Sequence, residues 1–154
     1  MELSNLRMLI ELATTSRDAA AVRCAQAQGH VTQARQQLDT LRGYVADYER
    51  RGQATLSEGC DIAVQSNLRA FAAKLKRAVE QQSAEVERRR QVLAAAEAEL
   101  AQMQRKLTSL QTLAGRQAET LRLHAARREQ KATDETARTM AQVTGLSPLT
   151  GGAW

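Results

Sequence analysis

Apolar residues recur along the first third of the chain at alternating spacings of three and four: Leu3, Leu6, Ile10, Ala13, Arg17, Ala20, Cys24, Ala27, Val31, Ala34, Leu38, Leu41, Val45 and Tyr48, with Arg17 the one interruption. That spacing keeps one side of an α-helix apolar over many turns, which is the heptad pattern of a coiled coil. It predicts a first helix over about 2–51, ended by Arg50 and Arg51 followed by Gly52, because cations suit a helix C-terminus and glycine suits the left-handed position after it. A loop is expected over 52–61. A second register follows at Leu68, Ala72, Leu75, Val79, Gln82, Val86, Arg89, Leu93, Ala96, Leu100, Met103, Leu107, Leu110, Ala114, Gln117 and Leu121. It predicts a longer helix over about 62–141, with Asp61 or Ser66 as its cap and 142–154 as a flexible tail.

One short connection makes the two helices fold back on each other, so the sequence predicts an all-α fold: one antiparallel coiled-coil domain over 1–141. Aligning the seams about the loop pairs positions whose numbers sum to about 120, and the facing sizes then complement each other. Ala34 meets Val86, Ala27 meets Leu93, Ala20 meets Leu100 and Ala13 meets Leu107. Pairing ends with Leu3 opposite Gln117, which leaves roughly 24 residues of the second helix projecting alone, about 36 Å at helical rise.

Composition narrows the function classes. With one Phe, two Tyr, one Trp, one Pro and eight Gly in 154 residues, the chain has neither the large side chains of a globular core nor the turns of a β or α/β fold. No Gly-rich phosphate loop, HExxH or GxSxG occurs, and His30 and His124 stand apart from any carboxylate cluster, so the expectation is a protein that is not an enzyme and takes no cofactor or metal. Cys24 and Cys60 lie too far apart in sequence to read as a metal or redox pair, and reduced thiols are expected. No apolar run approaches 18 residues and charges punctuate the N-terminal stretch, so neither a membrane span nor a cleaved signal is expected. The net charge of +5 is spread along the chain without interleaved aromatics, which argues against nucleic acid as a partner.

Two features point to protein partners. Three of the four aromatic residues, Tyr44, Tyr48 and Phe71, flank the predicted loop. Tracing their neighbours at helical spacing gives Gln37, Leu41, Tyr44 and Tyr48 on the first helix and Phe71, Leu75, Ala78 and Gln82 on the second, each at offsets of 0, 4, 7 and 11. The stripes either widen the core at the loop end or merge into an exposed docking face, for which aromatic residues are favoured anchors. The other feature is a set of basic runs. Lys74, Lys76 and Arg77, and likewise Arg88, Arg89 and Arg90, read as solvated faces, with Arg89 on the seam expected to turn outward or to kink the packing. Arg127, Arg128 and Lys131 lie on the unpaired segment, where a partner is the alternative to solvent.

The segments LDTLRGYVADYER (38–50), NLRAFAAKLKRAVEQQ (67–82) and REQKATDETA (128–137), in that order, resemble the flagellar export protein FliJ family over nearly the whole chain. The resemblance implies a cytoplasmic component of the flagellar type III export apparatus, peripheral at the inner membrane and working as a stalk. In such a role the end carrying the N-terminal helix and C-terminal arm inserts into the hexameric flagellar export ATPase, promoting ring assembly; Arg127, Arg128 and Lys131 would contact the ring. The loop end docks on the cytoplasmic domain of the export-gate membrane protein, which by position would use Gln37, Leu41, Tyr44, Tyr48, Phe71, Leu75, Ala78 and Gln82. Export chaperones are the third implied partner, and a monomer in solution is expected because one stalk fits one central hole. Position 82 is Gln where the family often has His, and the tail is neutral and Gly-rich where the family's is basic. Virulence type III systems have a stalk of similar length and helix content, and a self-associating coiled-coil scaffold is the contrasting class.

Overall fold

The computed structural model describes residues 2–59 and 61–145, and within them the chain forms two helices packed as a helical hairpin, α1 (Leu3–Ser57) and α2 (Ile62–Gly145). Cα packing separates two compact units, Leu12–Leu107 and the chain on either side of it, Met1–Glu11 with Thr108–Trp154.

In the Leu12–Leu107 unit the helices run antiparallel in the register that the seams require. Ala34 and Leu38 of α1 cluster with Val86 of α2, and Val79 packs against them. Further pairs fix the direction: Tyr48 stacks on Phe71, Gln37 bonds Gln82, and Arg23 bonds Glu99, so the α2 partner moves up in number as the α1 member moves down. Ala13, Ala20, Ala27 and Ala34 are all buried; of their expected partners, Val86 and Leu107 are buried and Leu93 and Leu100 half-buried. A single seam between two helices can cover a methyl group fully, but it leaves the outer edge of a leucine in contact with water.

Every α1 seam position from Ala13 to Tyr48 is buried or half-buried, Arg17 included, its guanidinium reaching out to Asp18 at 2.7 Å. On α2 the exception is Arg89, which turns outward to Glu85. In the second unit Leu6 is fully buried, and Leu110, Ala114 and Gln117 are the half-buried positions of α2. From Ala118 to Gly145 every residue is exposed, Leu121 included, although the helix continues.

The helix ends differ from expectation. α1 continues through Gly52 to Ser57, and the left-handed residue is Gly59, with φ of 75°, not Gly52. The reason is visible in the register: Gly52 and Thr55 carry the three and four spacing onward from Tyr48, both are half-buried, and no helix breaker intervenes before Gly59. The expected loop over 52–61 therefore shrinks to the connection between Ser57 and Ile62. Asp61 caps α2, its carboxylate accepting from Ala63 N at 3.4 Å and its carbonyl from Val64 N and Gln65 N. α2 also runs past the expected limit of 141 to Gly145. Cys60 and the rest of the predicted tail, 146–154, lie outside the described residues.

Candidate functional site

The eight residues of the two loop-end stripes all fall in the Leu12–Leu107 unit, and helix packing brings the stripes together. At one end the rings of Tyr48 and Phe71 lie 4.6 Å apart, tilted by 47°. At the other, Gln82 Nε2 donates to the Ala34 carbonyl at 3.0 Å and to Gln37 Oε1 at 3.1 Å, which ties the polar ends of both stripes. Leu41, Leu75 and Ala78 are half-buried between them, as is Tyr48. Tyr44 and Phe71 stand out, 52% and 43% exposed.

This geometry divides the aromatic set. Tyr48 has three neighbours: its seam, the Phe71 ring, and the guanidinium of Arg51, whose Cζ sits 5.8 Å from the ring centroid. Those contacts hold the loop end together. Tyr44 has no ring partner among the described residues; an exposed tyrosine presents a large rigid apolar face at small entropic cost, the usual property of an interface anchor. Phe71 serves both purposes, packing one face and presenting the other.

The three basic runs fare differently. Glu85 collects two arginines of the second run: Oε2 accepts from Arg88 Nε and Nη2 at 2.9 and 2.7 Å, and Oε1 accepts from Arg89 Nε at 2.7 Å. These hydrogen bonds, from Arg88 first and then Arg89, hold the Glu85 carboxyl below the ordinary 4.5 of a glutamate. Arg90 faces Glu87 at 3.9 Å. In the first run Lys76 crosses to Glu49 at 3.1 Å. Arg127, Arg128 and Lys131 form no ion pair among the described residues, and all three are exposed. Spacings of three and four put Lys131 on the same side of α2 as both arginines.

His30 and His124 are exposed on their helices. Among the described residues no group of His, Cys, Asp and Glu could hold a metal ion, and no helix is long and apolar enough to cross a membrane.

What sequence reasoning missed lies beside the aromatic face. Gly52, Leu56 and Leu68 line a cavity there with Tyr48 and Ala72. The signal was the continuing register at Gly52 and Thr55, hidden by reading Gly52 as a helix stop.

Comparison with known proteins gives three findings. The family model described as flagellar FliJ protein matches residues 1–145. In fold the chain is similar to the solved structure of CT670 from Chlamydia trachomatis, described as a YscO homolog, with a TM-score of 0.68, 15% sequence identity, and 95% of this chain and 94% of that one covered. No curated protein sequence matches.

Proposed function

The chain belongs to the flagellar FliJ protein family, a family of the type III export apparatus, and on that premise we propose that it is the stalk that links the export ATPase to the export gate. The reading takes the exposed helix beyond Gln117 as the element that enters the central hole of the hexameric ATPase, and the aromatic face near the loop as the element that docks on the cytoplasmic domain of the export-gate membrane protein. A helical hairpin needs no chemistry of its own for this: it acts through the difference in free energy it makes with alternative arrangements of its partners. One monomeric hairpin serves one ring, and export chaperones released of their cargo are further partners.

The observation that carries the reading is the contrast among the basic runs. Arg88, Arg89 and Arg90 pair with Glu85 and Glu87, and Lys76 pairs with Glu49, all within the hairpin, whereas Arg127, Arg128 and Lys131 have no such partner among the described residues. Charges left unsatisfied on one side of an otherwise solvated helix favour an acidic surface, and they speed encounter with it.

The test is ATP hydrolysis and hexamer formation by the export ATPase of the same bacterium, with the purified chain added below stoichiometry. Stimulation is expected to saturate near one chain per ring, and to vanish for a variant carrying Arg127→Glu, Arg128→Glu and Lys131→Glu with unchanged helix content. Equal stimulation by that variant refutes the assignment of the three cations. For the gate, Tyr44→Ala is expected to weaken binding to the cytoplasmic domain by about tenfold or more without lowering the thermal midpoint, since Tyr44 has no ring partner within the hairpin. Binding at wild-type strength would return Tyr44 to the solvent.

A further inference from the structure

Beyond Tyr48 the seam between the two helices is not filled. Gly52 occupies a seam position, yet a Cβ built on it would meet nothing within 4 Å. A glycine on a close-packed seam is normally there because the facing helix comes too near for a side chain; here the space is open. The result is a notch of about 160 Å³ in the Leu12–Leu107 unit, walled by Tyr48 and Leu56 on α1 and by Leu68 and Ala72 on α2, with Gly52 at its back. An apolar cavity of roughly this size, about 150 Å³, is enough to hold a benzene ring.

The rim is charged unevenly. Glu49 is already engaged by Lys76 at 3.1 Å. Arg69 borders the notch and forms no ion pair among the described residues; Arg51 lies outside the lining, with its Cζ 5.8 Å from the centroid of the Tyr48 ring, and forms none among them either. The wall residue Tyr48 is shared with the aromatic face, so the notch continues that face toward the loop. Leu56 is exposed at its mouth.

We propose that this notch receives one leucine- to phenylalanine-sized side chain from a protein partner, presented between carboxylates that pair with Arg51 and Arg69. The inference rests on the gate-docking reading and adds to it a site outside the two aromatic stripes. It identifies the partner surface by chemistry: an apolar knob in an acidic setting, seated against Tyr48. The knob gains apolar contact on most sides without displacing any hairpin residue, because the cavity is already open. The two arginines then gain partners that the hairpin does not offer them.

The experiment compares the full chain with Gly52→Leu, which fills the notch from α1 and replaces a helix-weakening residue with a strong helix former. Binding to the cytoplasmic domain of the export gate is measured by titration calorimetry, with helix content and thermal midpoint recorded alongside. The expected result is a rise in Kd of about tenfold or more with no loss of folding, while Gly29→Leu, the same change at an open helical position far from the notch, leaves Kd unchanged. Arg69→Glu is expected to raise Kd as well, with a shallower salt dependence. Should Gly52→Leu fail to fold, Ala72→Leu fills the same space from α2. A folded, notch-filled variant that binds within twofold of wild type overturns the proposal. If Tyr44→Ala weakens binding and notch filling does not, the aromatic face stands and the notch falls; if the gate binds no form of the chain, the docking reading itself falls. Self-association that notch filling abolishes would assign the space to a second copy and also overturn the proposal.

Discussion

Between Leu12 and Leu107 each helix covers the other's apolar seam; from Ala118 to Gly145 α2 continues with nothing covering it. The difference lies in spacing more than in residue type. In the first region a leucine, valine, methionine or alanine returns nearly every three or four positions, and the facing helix has its own to match. In the second, the large apolar residues are Leu121, Leu123, Met140 and Val143, separated by alanines, threonines and charges. That helix is held by backbone bonds and by good helix formers; the threonine hydroxyls at 120, 133, 136, 139 and 144 each donate to the carbonyl four residues earlier, which satisfies the hydroxyl without strengthening the helix. A helix sustained by propensity alone is marginal in water. The lesson is that one element serves two purposes: its paired part supplies stability, and its solvated part is free to be shaped by whatever it binds.

The sharpest test of that contrast removes a leucine from each region. Leu38→Ala, in the buried cluster with Ala34 and Val86, is expected to cost about 2 to 3 kcal/mol, the lower part of the usual range because a one-seam core relaxes more easily than a globular one. Leu121→Ala is expected to change stability by less than about 0.5 kcal/mol. Urea unfolding of both variants decides it; equal losses would mean that the exposed stretch is covered after all.

A finer comparison concerns ion pairs. Arg23 and Glu99 join the two helices at 2.7 Å, whereas Arg122 and Glu119 pair within α2 at 2.8 Å. A double-mutant cycle on the first pair is expected to give a coupling below about 1 kcal/mol that fades with salt. Amide exchange in α2 should respond to loss of the second pair only near Glu119, since that pair ties no other element. Comparable global effects from both would break the distinction.

The smallest effect is in pH. Hydrogen bonds from Arg88 and Arg89 lower the Glu85 carboxyl, and a pair from Arg122 lowers Glu119. A depressed folded-state value means that the contribution is complete above the unfolded value and is lost as pH falls through the folded one, here at pH below the ordinary 4.5. Acidification through that window should therefore lower the thermal midpoint of the wild type slightly more than that of Glu85→Gln. Because the group is only half-buried and its arginines face solvent, the difference is expected to be small, and an opposite sign would show that the arginines, freed of Glu85, pack better.

Much of this architecture could be read from the chain alone. Heptad spacing fixed both helices, their antiparallel register, and the point near Gln117 where covering ends, because a periodic apolar stripe has one way to be buried and its partner must match it in size and length; for Arg89 it left an outward turn or a kink, and the side chain turns outward. Local chemistry also marked Asp61 or Ser66 as a cap, and the structure uses Asp61. What periodicity could not decide was how the helices behave where their stripes thin out. Gly52 reads locally as a stop and is in place a helical seam residue, because one glycine costs a helix only roughly 1 kcal/mol and no further breaker follows before Gly59. The roles of the aromatics were likewise open. Tyr48 and Phe71 meet across the hairpin and Tyr44 does not, which depends on the rotation of one helix against the other, a quantity that spacing constrains only to a face. The sequence by itself determined which sides of the helices meet. Only the tertiary structure decided where they stop touching, and the notch behind Tyr48 exists because that separation is set by the sum of many contacts along the seam and by no single residue.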